Sequence, residues 1–242
     1  MEDIYDIVLH RFHRRYRLKK AVNLCITSVV AVLGITSFLY GLQYESFKTV
    51  FRWMTVDGTL FTTFCAIAFI LVNLYEILGN TELTSIPIYY IRLSSVVAES
   101  VIFGVTLISQ LPFFAEHIPI IDRYDSFVMH IMVPILSVTS FLTNDSSIGK
   151  LKPMERWRGT WFVTCYGVII FLLIGTKTLP ESLIPYFFLD YRKNIGMTIV
   201  AFFIIYSIGY LTGWLLSEWN RKLTWLWFKG IAYQHSPHKH KD

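Results

Sequence analysis

The stretch NIGMTIVAFFIIYSIGYLTGWLL, Asn194 to Leu216, runs without a single charged residue. A helix needs roughly 20 mostly apolar residues to cross about 30 Å of hydrocarbon. This stretch is long enough on its own, and the same pattern recurs along the chain. Apolar runs at 21–43, 54–78, 88–114, 126–143, 159–176 and 194–218 predict six spans. Of the 242 residues, 54% are hydrophobic and 16% are charged, with a mean hydropathy of +0.48. A soluble domain carries about 25% charged residues. Only helices and closed barrels satisfy their backbone polar groups in lipid, and runs of this length are helical. The expectation is an all-α polytopic membrane bundle forming a single integral membrane domain over residues 1–242. It divides into a basic arm (1–20), the bundle (21–218) and a tail (219–242).

Orientation follows from the loop cations, because cytoplasmic loops are enriched in Lys and Arg. The N-terminal arm holds Arg11, Arg14, Arg15, Arg17, Lys19 and Lys20. The loop after the fourth run adds Lys150, Lys152, Arg156 and Arg158, and the tail adds Arg221, Lys222, Lys229, Lys239 and Lys241. Arg92, early in the third run, lies on the same side. Only Lys48, Arg52, Arg123, Lys177, Arg192 and Lys193 fall on the other side. The heavier side is expected to be cytoplasmic, which places both termini inside the cell membrane, as an even number of spans requires.

The net charge of +5 gives no reason to expect nucleic acid, since the cations flank apolar runs instead of forming a basic face. Cys25, Cys65 and Cys165 each lie inside an apolar run, with no CxxC spacing to suggest metal or redox work. The first apolar run is too long for a signal-peptide core and no small-residue cleavage site follows it. The segment LTWLWFKGIAY, residues 223–233, is Trp-rich with flanking cations and reads as a C-terminal interfacial helix. His235, His238 and His240 in the last residues read as a polar tail in preference to a metal site, because no other ligand is spaced with them. No internal repeat, glycine-rich phosphate loop, HExxH or GxSxG is present. No metal or cofactor is expected.

Ionisable groups in a membrane are costly, so each is a functional candidate. Glu76 and Glu218 fall near the inner interface, where solvation accounts for them, and Arg92 can snorkel to the same depth. Glu99 lies deeper, as a structural partner or a protonated carboxyl. Thr55 and Asp57 open the second run, His130 lies early in the fourth, and Asp190 lies just before the sixth. The topology puts all four at one membrane depth. They converge on one pocket or are unrelated interfacial residues; spacing alone leaves both open.

At these residues the chain resembles a known group. Phe51-Arg52-Trp53-Met54-Thr55-Val56-Asp57-Gly58-Thr59-Leu60 resembles the F-T-x-x-S-N start of the second helix in a bacterial six-helix membrane family, with Gly58-Thr59 in place of Ser-Asn. His130-Ile131-Met132-Val133-Pro134-Ile135-Leu136 resembles its H-x-x-x-P-L-L motif. Ile184-Pro185-Tyr186-Phe187-Phe188-Leu189-Asp190, followed by Gly196, resembles its Y-P-Y-x-F-L-D-x-x-x-x-G motif. Order and spacing agree from about residue 20 to 222. That family looks related to the androgen-induced and androgen-dependent membrane proteins, six-helix threonine hydrolases of fatty acid esters of hydroxy fatty acids.

The resemblance implies an integral membrane hydrolase of a lipid-like, fatty acyl ester, with Thr55 as nucleophile and His130 as base. Thr55 needs an adjacent base to take its proton, and imidazole titrates near working pH. Asp190 is expected to orient the imidazole, because Asp57, two residues from Thr55 on one helix, points away. Asp57, Tyr186 and Glu99 are the expected substrate-binding residues. Membrane lipids and the ester substrate are the expected partners. The rival reading is a non-enzymatic transporter or lipid-binding protein, in which His130, Glu99 and Arg92 form a proton or solute path. An enzyme requires Thr55 and His130 within hydrogen-bond reach at a pocket; a transporter requires polar groups strung through the midplane.

Overall fold

A computed structural model of the chain describes residues 2–79, 85–110, 122–144 and 150–233. Among these residues there are helices and turns and no strand. Six helices are long and apolar enough to cross a membrane: Tyr16–Gly41, Met54–Gly79, Ile86–Ile108, Tyr124–Thr143, Pro153–Gly175 and Ile195–Leu226, called spans one to six in chain order. The chain is therefore a multi-pass membrane protein.

Span three is the centre of the bundle. Of its apolar stretch 61% is buried, against 17% for span six at the edge. Its residues Leu93, Val96, Val97 and Val101 recur at helical spacing and are fully buried. They pack with Phe141 of span four, Ile170 and Ile174 of span five and Leu216 of span six. Span two packs on span one and span three, and span one also meets span four. The outward faces stay apolar, with Phe203, Ile204 and Leu211 of span six and Leu172 of span five exposed. In water such faces would demand a partner; in a bilayer the hydrocarbon is that partner.

Two helices outrun the membrane. Span one lies inside a continuous helix Glu2–Gly41, so the basic arm is helical. Span six lies inside Ile195–Tyr233, 39 residues long. The Trp-rich segment thus continues span six along its axis instead of turning as a separate helix. No proline occurs in it, and no glycine falls between Gly213 and Gly230 to break it.

Two charges expected at the interface are buried instead. Glu76 is fully buried and its carboxylate meets Lys20 of span one at 2.7 Å. Arg92 is fully buried too: it donates to Ser140 Oγ of span four at 2.6 Å and lies over the Phe69 ring. Read one span at a time, Glu76 has no visible cation. The pairing of spans one and two supplies it.

Candidate functional site

The first reversal, residues 42–53, carries a short helix Phe47–Val50 and delivers the chain to the start of span two. Thr55 is the second residue of that helix and is buried. The first amides of a helix have no intrahelical acceptor, so the nucleophile candidate sits at the positive end of the helix dipole. Tyr166 of span five fixes this turn by donating to the Arg52 carbonyl at 2.6 Å.

His130 reaches the same point from span four. That span begins as an α-helical turn, Tyr124–Phe127, passes through a π-helical turn, Val128–Met132, and resumes as Val133–Asn144. Pro134 accounts for the distortion. It lacks an N–H and its ring clashes with the carbonyl four residues earlier, which is that of His130. Widening the turn relieves the clash, and such π-turns recur at functional sites.

The two side chains meet. Thr55 Oγ1 lies 3.2 Å from His130 Nε2, both groups buried. His130 Nδ1 lies 2.8 Å from the Ser126 carbonyl oxygen and 3.3 Å from the Ser126 hydroxyl. A carbonyl only accepts, so Nδ1 carries the proton. Nε2 is then left with its lone pair toward Thr55. This is the tautomer that a general base requires.

A cavity of about 270 Å³ opens beside the pair. Its polar lining is Glu45, Arg123, Asp125, Ser126, His130 and Thr55, and Trp53 and Tyr186 line it with the apolar Phe38, Val50, Val56 and Met129. Arg123 clamps Asp125 through both carboxylate oxygens, at 3.1 and 2.6 Å. Arg52 lies 3.6 Å from Glu45, and Trp53 Nε1 donates to Glu45 at 2.9 Å. The rim is therefore a set of paired charges.

Tyr186 enters from another reversal at the same end, residues 176–194, beside Thr55 and the Met54 amide. Burial pushes its hydroxyl up to about 12, against the lowering contacts of Thr55 and Met54. It stays protonated at any working pH and serves as a donor.

The other expected site residues are placed differently. Asp190 does not orient His130, because the Ser126 carbonyl holds Nδ1. Its carboxylate instead accepts from Arg192 Nε at 3.0 Å, with Lys193 Nζ at 3.5 Å, and its backbone oxygen accepts the amides of Lys193 and Asn194 at the start of span six. Burial pushes that carboxyl up, but Arg192 and Lys193 more than offset this and hold it below the usual carboxylate range. Asp57 lies half-buried near Tyr166 and Tyr186. The span-four carboxylate that shares the cavity lining with His130 and Thr55 is Asp125. Glu99 is fully buried deeper in the bundle beside Thr59 and Thr62, away from the cavity lining. The Gly58-Thr59 pair has a packing reason. A β-carbon at Gly58 would stand 2.6 Å from Ile102 Cδ1, so serine there requires the end of the Ile102 side chain to move.

Ser126, Asp125 and Tyr166 are site residues that the sequence reading missed. A signal existed for the first: Ser126 precedes His130 by four residues, the spacing that stacks groups on one helix face. Among the described residues no cluster of three or more His, Cys, Asp or Glu is arranged to hold a metal ion.

No family model matches the chain, and neither a curated protein nor a solved structure is significantly similar to it.

Proposed function

We propose that the protein is an integral membrane hydrolase of fatty acyl esters, related to the threonine hydrolases that its motifs resemble, with a Thr55–His130 dyad. The observation that carries this reading is the 3.2 Å approach of Thr55 Oγ1 to an imidazole whose other nitrogen is tied to a backbone carbonyl. Thr55 Oγ1 attacks the ester carbonyl carbon as His130 Nε2 takes its proton. The tetrahedral intermediate collapses, the C–O bond to the alcohol breaks, and the leaving oxygen takes that proton from Nε2. Water from the polar cavity then attacks the acyl-threonine, giving a proton to Nε2. As the acid leaves, the proton returns to Thr55 Oγ1. Tyr186 and the positive end of the span-two helix dipole are suited to the developing oxyanion.

The excess of Lys and Arg at the end opposite the site supports a cytoplasmic placement of both termini in the cell membrane, with the site facing outward. A reporter fused within 177–193 then reads as external, and one after Asp242 as cytoplasmic.

The test is labelling of purified protein by a fluorophosphonate directed at activated hydroxyls. Wild type is expected to label, and both Thr55→Ala and His130→Ala to fail while remaining folded. Equal labelling of Thr55→Ala would refute the mechanism.

One observation favours the transporter reading. Buried polar groups continue below the dyad: Thr59, Thr62 and Glu99, then Arg92, Ser140 and Asn23, then Lys20 and Glu76. Loss of a solute or proton flux in Glu99→Gln, with Thr55 labelling intact, would move the function to that column.

A further inference from the structure

Thr55 and Tyr186 line a second cavity as well as the polar one. This chamber holds about 50 Å³ and is walled by Ile102, Val163, Tyr166, Gly167, Phe202 and Ile205. Two of these residues, Gly167 and Phe202, also line a third cavity, an apolar groove of about 700 Å³ between spans five and six. Ligand sites commonly enclose about 300–1,000 Å³. The three cavities therefore lie in series, with Thr55 between the polar end and the apolar end.

The groove has a structural origin. Span six packs on span three, on span four and on the 3-10 turn Trp157–Thr160 near the start of span five. Beyond that turn, span five leans on span three. The two helices are pinned at one end and a wedge opens between them toward the other. Its mouth carries Val168, Leu172, Ile199 and Phe203, all exposed where a bilayer would lie. The groove also contains the Thr198 hydroxyl, which is already bonded to the Phe188 carbonyl at 2.7 Å.

Phe202 divides groove from chamber. Its ring lies against Gly167, where a β-carbon would stand 3.1 Å from Phe202 Cε1. Phe171 meets it edge-on at 5.1 Å between ring centres. A chamber of about 50 Å³ holds little more than water, whose share of liquid volume is about 30 Å³. A chain passes only if Phe202 swings off Gly167.

We propose that the long acyl arm of the ester enters from the bilayer through the wedge between spans five and six, with Phe202 and Gly167 as its gate. The proposal rests on the hydrolase reading. The ester carbonyl stops at Thr55, the acyl chain lies in the apolar groove, and the alcohol side and the hydrolytic water occupy the polar cavity. A bilayer tail would fill any apolar groove. Continuity with the nucleophile is what makes this one a substrate subsite.

The first experiment uses wild-type protein and a palmitoyl fluorophosphonate bearing a diazirine at the far end of its chain. The warhead fixes one end at Thr55, and light then records where the other end lies. Crosslinks within 168–172 or 199–207 are expected. Crosslinks confined to Phe38, Val50 or Met129 would put the chain in the polar cavity and overturn the proposal. No phosphonylation of Thr55 would overturn the hydrolase reading and this proposal with it. The second experiment compares p-nitrophenyl palmitate with p-nitrophenyl acetate in detergent. Gly167→Leu should lower the palmitate-to-acetate ratio of kcat/KM by about tenfold or more, since pocket contacts of a few methylenes carry that much discrimination. Phe202→Ala should raise the same ratio. An unchanged ratio in both variants would mean that the gate is not on the substrate's path.

Discussion

The two ends of the bundle treat buried polar groups in opposite ways. At the end away from the site, polar groups pair with one another across helices. Lys20 meets Glu76 at 2.7 Å, and Arg92 donates to Ser140, which donates to Asn23 at 2.6 Å. At the site end, Thr55 and His130 meet at 3.2 Å beside about 270 Å³ of open space. Both arrangements bury polar groups in a membrane helix bundle, and burial alone does not separate structure from chemistry. Fixed orientation next to vacant volume does. The ion pair holds helices together; the dyad has room for a third molecule.

Removing either member of the dyad gives the largest expected effect. Thr55→Ala and His130→Ala should each lower ester turnover on the order of 10⁴-fold, and the double variant should lose no more, since the two act as one unit. Thermal stability should change little, because each group serves the cavity more than the packing. Steady-state rates on a short ester, with thermal melts of the same preparations, check this. Additive losses would mean that the two residues act separately, and the contrast between the two ends would weaken.

Much of this was legible in the sequence, for physical reasons. Six apolar runs became six spans because hydrocarbon permits little else. Thr55 and His130 converged because two spans running in the same direction begin at the same depth. What holds the imidazole was not legible. Residue type points to a carboxylate such as Asp190, whereas the partner is a backbone carbonyl, which residue type does not reveal. Pro134 carried a readable clue to the π-turn, since a proline four residues after His130 must disturb the His130 carbonyl. Glu76 and Arg92 were misplaced because their partners stand on other helices. A single chain of letters gives depth along a span but not which spans are neighbours.

The other end is broken by removing one charge of its pair. Glu76→Gln leaves Lys20 buried without its carboxylate and should cost about 3–5 kcal/mol of stability. Replacing both residues, Lys20→Met with Glu76→Leu, should recover most of that loss. Specific activity per folded molecule should stay near wild type in every case. Unfolding in denaturing detergent, read alongside fluorophosphonate labelling, separates the two quantities. Loss of labelling at full stability would show that the ends are coupled.

Tyr186→Phe sharpens the comparison at the site itself. It removes one hydroxyl beside Thr55 and leaves the ring against Trp53 and Phe188. Loss of one oxyanion donor costs about 10²–10³-fold in kcat. The fall is expected in kcat with KM little changed, because the hydroxyl acts on charge that develops only in the transition state. An effect confined to KM would make Tyr186 a substrate-binding residue alone.

The smallest expected effect belongs to Asp190→Asn, and its pH dependence fixes the role. Asp190 is held below the usual carboxylate range by Arg192 and Lys193, despite a burial that pushes it up. A depressed carboxylate contributes stability that is fully present above its unfolded value, about 3.9, and lost as pH falls through its lower folded value. At pH 7 the variant should therefore melt lower than wild type, and the gap should close only below about pH 4. Lys193 is largely exposed, so screening keeps the effect modest. A shift of about 2–4 °C is the scale for about 1 kcal/mol in a chain of this size. Activity should fall less than in Tyr186→Phe, because Asp190 only steadies the segment that delivers Tyr186. If Asp190→Asn instead matched His130→Ala in turnover at unchanged melting temperature, the carboxylate would be acting on the imidazole. The Ser126 carbonyl would then lose its place as the group that sets the His130 tautomer.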